Sequence, residues 1–139
     1  MTEREQLKKR LKMYRANRAE ICQIKKEIAW IEENLDGLHA ANMDGTPRGS
    51  GVSDPTYQAY ARQEALKARY IDQMARLSDE QAAIEDMIAA LEPTERKLMR
   101  CYYMEGLTWE EVCVAISYGW TRTHELHGHA LDKLLARKQ

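Results

Sequence analysis

Apolar residues return at every seventh position from the start of the chain: Leu7, Tyr14, Ile21, Ile28 and Leu35. Ile24, Ile31 and Leu38 add the second row of a heptad seam, the spacing that keeps one narrow helix stripe against a partner. Arg10 and Asn17 fall in that second row, so the seam is poor toward the N-terminus. The pattern predicts one helix from about Glu3 to Ala40. Residues 41–54 carry Gly, Ser and Pro without a period and read as a loop. Asp54-Pro55 then forms a helix start, with Asp capping and Pro in the first turn. The second helix is predicted to run to about Leu91, on a stripe of Tyr70, Met74, Leu77, Ile84, Ile88 and Leu91 that Gln81 interrupts. Its roughly 37 residues span about 55 Å at 1.5 Å each. Two helices matched in length across one loop predict a long antiparallel, coiled-coil-like hairpin. Each buries only a narrow stripe, so the hairpin needs a further partner, and a homo-oligomer (dimer) formed through the same seam is the simplest.

Pro93 breaks the pattern and Thr94 is placed to cap the next helix. The expected division is therefore residues 1–92, a helical hairpin with its loop at 41–54, and residues 93–139, a second module. With 139 residues the chain allows one domain, or a compact module beside an extended one. A hydrophobic share of 44% with 31% charged residues suits an all-α, water-facing protein. No apolar run approaches the ~20 residues of a membrane span, so no membrane partner is expected. The opening MTEREQLKKRL has no apolar signal-peptide core. Cys22, Cys101 and Cys113 are odd in number and scattered, which fits a reducing cytoplasmic setting better than a disulfide framework.

The net charge of −1 does not advertise nucleic-acid binding, but its distribution is uneven. Residues 8–18 carry six basic side chains and no acid, and residues 79–92 carry five acids and no base. The basic run reads either as a solvated helix face or as an auxiliary DNA contact.

Thr108 to Leu134 carries the most specific local pattern. Thr108 and Glu111 make a T-x-x-E capping box. Val112, Cys113 and Ile116 recur at helical spacing, Ser117-Tyr118-Gly119 interrupts them, and Thr123, Leu126, Ala130, Leu131 and Leu134 resume the period. A short helix, a tight turn and a longer helix is the helix-turn-helix arrangement, whose second helix enters a DNA groove.

This stretch resembles the promoter-reading C-terminal domain, region 4, of bacterial sigma factors. Glu110-Glu111-Val112 stands where that family has E-E-I, and Ala130-Leu131-Asp132-Lys133-Leu134 where it has A-L-x-K-L. Upstream, Glu95-Arg96-Lys97-Leu98-Met99-Arg100-Cys101-Tyr102-Tyr103 resembles its E-R-x-V-x-x-L-R-Y helix. Gly119, Thr123 and Cys113 depart from it, replacing a Ser or Thr cap, a buried Val or Ile, and a small Ala or Gly. A second resemblance covers nearly the whole chain. Phage and prophage transcriptional regulators of the RinA/ArpU type carry a G-M-P-R-G-S-G-x-S-D-P linker and a W-x-E-I…Y-S…L-H-G-x-A-L ending. Here Gly45-Thr46-Pro47-Arg48-Gly49-Ser50-Gly51-Val52-Ser53-Asp54-Pro55, Trp109-Glu110-Glu111-Val112, Tyr118-Gly119 and Leu126-His127-Gly128-His129-Ala130-Leu131 stand in those places. The resemblance implies late-gene transcription control in a phage, as an activator, with double-stranded DNA and host RNA polymerase as partners.

The sigma-like alignment implies DNA-binding positions at Trp120, Thr121, Arg122, His124 and Glu125, to which Thr108 and His127 are added. Arg makes paired hydrogen bonds to guanine or holds a phosphate, and Glu accepts from the cytosine amino group. Trp120 reads either as a contact to sugar or base edge, or as a lid on a small core. His127 and His129 read as phosphate contacts or as packing. His124-Glu125-Leu126-His127 lacks the H-E-x-x-H spacing of zinc hydrolases, so no metal is expected. Cys113 reads as a small core residue, and Cys101 has no His or Asp partner at local spacing. The loop GTPRGSG lacks the Lys-Ser/Thr end of a P-loop and reads either as a plain hairpin connection or as one whose Arg48 touches DNA or polymerase. No catalytic residue, cofactor or enzymatic activity is expected. Two other classes fit the same residues: a small-terminase-like DNA-packaging protein, and a polymerase-binding interaction protein that does not read DNA.

Overall fold

The computed structural model describes residues 1–42 and 55–137, and side chains for 1–37 and 55–137. The loop expected at 41–54 and its Arg48 therefore lie outside the described residues, apart from the end of the first helix. The described chain is all-helical, without a strand. Its elements are α1 (Glu3–Asn42), α2 (Pro55–Ala89), α3 (Pro93–Met99), a wide π-helical turn (Arg100–Met104), α4 (Trp109–Ile116) and α5 (Trp120–Arg137). No helix among the described residues is long and apolar enough to cross a membrane.

Two compact units emerge, Met1–Ala19 with Asp79–Gln139, and Glu20–Ser78. These cuts fall inside α1 and α2 rather than at Pro93, where the helical pattern breaks. In the first unit Leu7, Leu11 and Tyr14 share one apolar cluster with Ile84, Ile88, Leu91, Leu98, Val112, Leu131 and Leu134. The start of α1 is thus part of the same core as α4 and α5. Leu11 is fully buried, whereas Arg10, in the heptad row, is half-buried and pairs with Glu80 at 2.5 Å. The buried face of α1 here keeps the seven-residue row at Leu7 and Tyr14, with Leu11 rather than Arg10 between them. Gln81 does not interrupt the α2 stripe. It is buried within it, donating from Nε2 to the Tyr14 carbonyl at 3.0 Å, which offsets part of the cost of burying the amide, while its Oε1 is buried without a partner. The Tyr14 hydroxyl donates to Glu85 at 2.5 Å, and burial together with that carboxylate pushes its pKa up.

In the second unit Ile24, Ile31 and Leu35 are buried, Ile21 and Ile28 are half-buried, and Lys67 pairs with Glu32 at 3.4 Å. No side chain of residues 55–78 is buried.

Helix ends follow local chemistry. Glu92, not Thr94, is the N-cap of α3, with Pro93 in the first turn and the Glu92 N–H donating to Glu95 at 3.3 Å. Pro93 lacks an N–H, which suits the first helical position. The segment from Glu95 to Tyr103 is not one uniform α-helix: its second half widens into the π turn, closed by Glu105 N–H to the Arg100 carbonyl at 2.9 Å. Gly106 then takes φ +75°, a left-handed conformation that a Cβ disfavours. The Thr108/Glu111 capping box is present, with both reciprocal bonds at 3.1 and 3.2 Å.

Candidate functional site

Between α4 and α5 the chain turns on Ser117, the one non-glycine residue at positive φ (62°) among the described residues. Ser117 N–H donates to the Val114 carbonyl at 3.3 Å and Tyr118 N–H to the Cys113 carbonyl at 3.1 Å. Those two bonds define a Schellman close to α4, a position usually held by glycine. The Gly119 carbonyl accepts from Thr123 N–H at 3.0 Å and opens α5.

One face of α5 is internal. Thr123, His127, Ala130, Leu131 and Leu134 are buried, and Leu126 is half-buried against the core. The other face presents Thr121, Arg122, Glu125 and His129 to solvent, with Trp120 54% exposed. Trp120 is not among the residues that cover the core; Trp109 is. The Trp120 ring instead lies 4.4 Å from His124, which lies 4.5 Å from Trp109. Trp109 stacks on Tyr102 at 4.0 Å with the planes 20° apart. A shelf of rings therefore runs from the π turn to the first turn of α5. The Arg122 guanidinium sits 5.3 Å over the Tyr118 ring, a cation–π contact that holds it at the turn.

The expected site residues separate into two groups. Trp120, Thr121, Arg122 and Glu125 come together at the solvent side of α5, with half-buried His124 beside them. Thr108 is exposed at the head of α4, where its oxygen accepts from Glu111 N–H and its hydroxyl proton remains able to donate. His127 points inward. It is 6% exposed, and its Nε2 lies 2.7 Å from the Tyr103 hydroxyl. Burial, reinforced by Lys8, His124, Arg4 and Lys12, lowers its pKa to about 4. The neutral ring and the Tyr103 hydroxyl share a hydrogen bond at Nε2 whose donor is set by the imidazole tautomer, and burial raises the Tyr103 pKa. His127 is thus a packing residue, and a phosphate cannot reach it without opening the core.

Sequence reasoning missed two features. The Tyr102–Trp109 stack was visible only as two aromatic residues in separate motifs. Glu95 is buried and receives Lys133 Nζ at 2.7 Å; this ion pair joins α3 to α5, and its two partners are ends of motifs 38 residues apart. Among the described residues no group of three His, Cys, Asp or Glu side chains is placed to hold a metal ion. Cys101 is buried, which together with Glu105 raises its thiol pKa and disfavours the thiolate. Comparison with known protein families, curated proteins and solved structures finds no match.

Proposed function

We propose that the chain is a phage late-gene transcription activator that binds promoter DNA through a sigma-like helix-turn-helix formed by α4, the Ser117–Gly119 turn and α5. The observation that carries this reading is the division of α5 into a buried face and a solvent face bearing Thr121, Arg122 and Glu125 beside exposed Trp120. A helix laid in a major groove needs such a face, with an Arg for guanine and a carboxylate for cytosine. α1 and α2 form the hairpin of this reading. Its support lies in each unit separately: Tyr14 meets Gln81 and Glu85 in one, and Glu32 meets Lys67 in the other. The hairpin dimerises, or presents a surface to RNA polymerase, through residues 55–78, where no side chain is fully buried.

Selection of bound duplexes from a random pool by the full chain tests the reading. Enrichment of one short motif is expected. Binding without enrichment is the outcome for a packaging protein or a sequence-blind clamp, and no binding is the outcome for a pure polymerase partner.

A further inference from the structure

The basic run of α1 belongs to the same compact unit as α4 and α5. Arg4, Lys8, Lys12 and Arg15 follow helical spacing along one edge of α1, next to the buried row of Leu7, Leu11 and Tyr14. That edge borders α5: Arg4 donates to the Gly128 carbonyl at 3.2 Å and to Asp132 at 2.7 Å. Two other cations of the run are used internally, Arg10 on Glu80 and Arg18 over the Tyr14 ring at 5.0 Å. Among the described residues no carboxylate stands within ion-pair distance of Lys8, Lys12 or Arg15. Lys12 and Arg15 line an open pocket of about 240 Å³ with Tyr102, Tyr103, Gly106 and Leu107. The Arg15 guanidinium lies so close over Gly106 that any Cβ there would collide with it.

We propose that Lys8, Lys12 and Arg15 form a second DNA contact, gripping the phosphate backbone of the duplex beside the α5 footprint, with one phosphate seated between Lys12 and Arg15. This rests on the reading of α5 as a duplex reader. Charge complementarity selects the occupant. The three cations span roughly 10 Å of helix, and a duplex presents one negative charge per ~1.7 Å of axis. The stripe also supplies what α5 lacks, since α5 itself carries Arg122, Lys133 and Arg137 against Glu125 and Asp132.

The test titrates the full chain on its selected duplex and on a scrambled one at several salt concentrations. Lys8→Ala/Lys12→Ala should weaken both complexes alike and lower the slope of log K against log salt by about 0.9 to 1.8, near 0.9 per lost phosphate contact, with Arg15 retaining part of the phosphate it shares with Lys12. Lys12→Arg should retain the wild-type slope. Trimming the duplex flank should weaken wild type more than the double variant, which keeps Arg15. Both lysines keep solvent contact, and an unchanged melting curve verifies the fold. An unchanged slope in the double variant, while Arg122→Ala still impairs binding, overturns the second contact and leaves α5 as reader. A selective loss on the chosen duplex alone overturns the phosphate role. Failure of wild type to bind any duplex overturns both readings.

Discussion

Thr123 is fully buried in the first turns of α5, and its hydroxyl has no hydrogen-bond partner. Leaving a buried hydroxyl unpaired costs on the order of 1–3 kcal/mol. Thr123→Val has the same shape without that group, so it should raise stability by about 1 kcal/mol, read as a higher urea midpoint at constant slope; a lower midpoint contradicts the burial. His127 makes the opposite kind of statement. Its folded pKa near 4 lies below the ordinary value of 6.5, so the unfolded chain takes up the proton first as pH falls. Stability is fully present above pH 6.5 and declines toward pH 4, by up to about 3 kcal/mol. His127→Gln should flatten that part of the profile, and identical profiles in both proteins contradict the assignment. The place of His127 was half legible. It shares the i, i+4, i+7 row of Thr123, Ala130 and Leu134, yet its residue type suggested solvent. Only the Tyr103 hydroxyl, brought from another element, explains how an imidazole fits the interior.

At the scale of elements, the boundaries that depend on neighbours in sequence were readable. The Thr108/Glu111 box starts α4 and Pro93 lies in the first turn of α3, because caps and proline act within one helical turn. Contacts that depend on what lies opposite were not: Leu11 in place of Arg10, Gln81 inside its stripe, and Glu95 with Lys133 all require the partner helix. The turn between α4 and α5 stores a small strain. Ser117 holds a left-handed conformation that costs a residue with a Cβ roughly 1 kcal/mol. Ser117→Gly should therefore stabilise the fold by about 0.5 kcal/mol, part of the relief being offset by the greater freedom of glycine in the unfolded chain. A thermal melt decides it, and a lower melting temperature contradicts the turn geometry.

Across the whole molecule, the first unit is assembled from both ends of the sequence. Leu11 has 0% exposure and sits in the cluster that holds Val112 and Leu131. Leu11→Ala should cost about 3 kcal/mol and should lower hydrogen-exchange protection in α5, at the far end of the sequence. Unaltered α5 protection would mean that residues 93–139 fold independently of α1. The central claim, that the solvent face of α5 reads duplex DNA, is tested most directly by titrating wild type and Arg122→Ala on a selected and a scrambled duplex. Ala is well tolerated at an exposed helix position, so the fold should persist. The account predicts a loss of roughly 1–3 kcal/mol on the selected duplex with little change on the scrambled one. Equal binding of both proteins to both duplexes, with the helical spectrum intact, would contradict it.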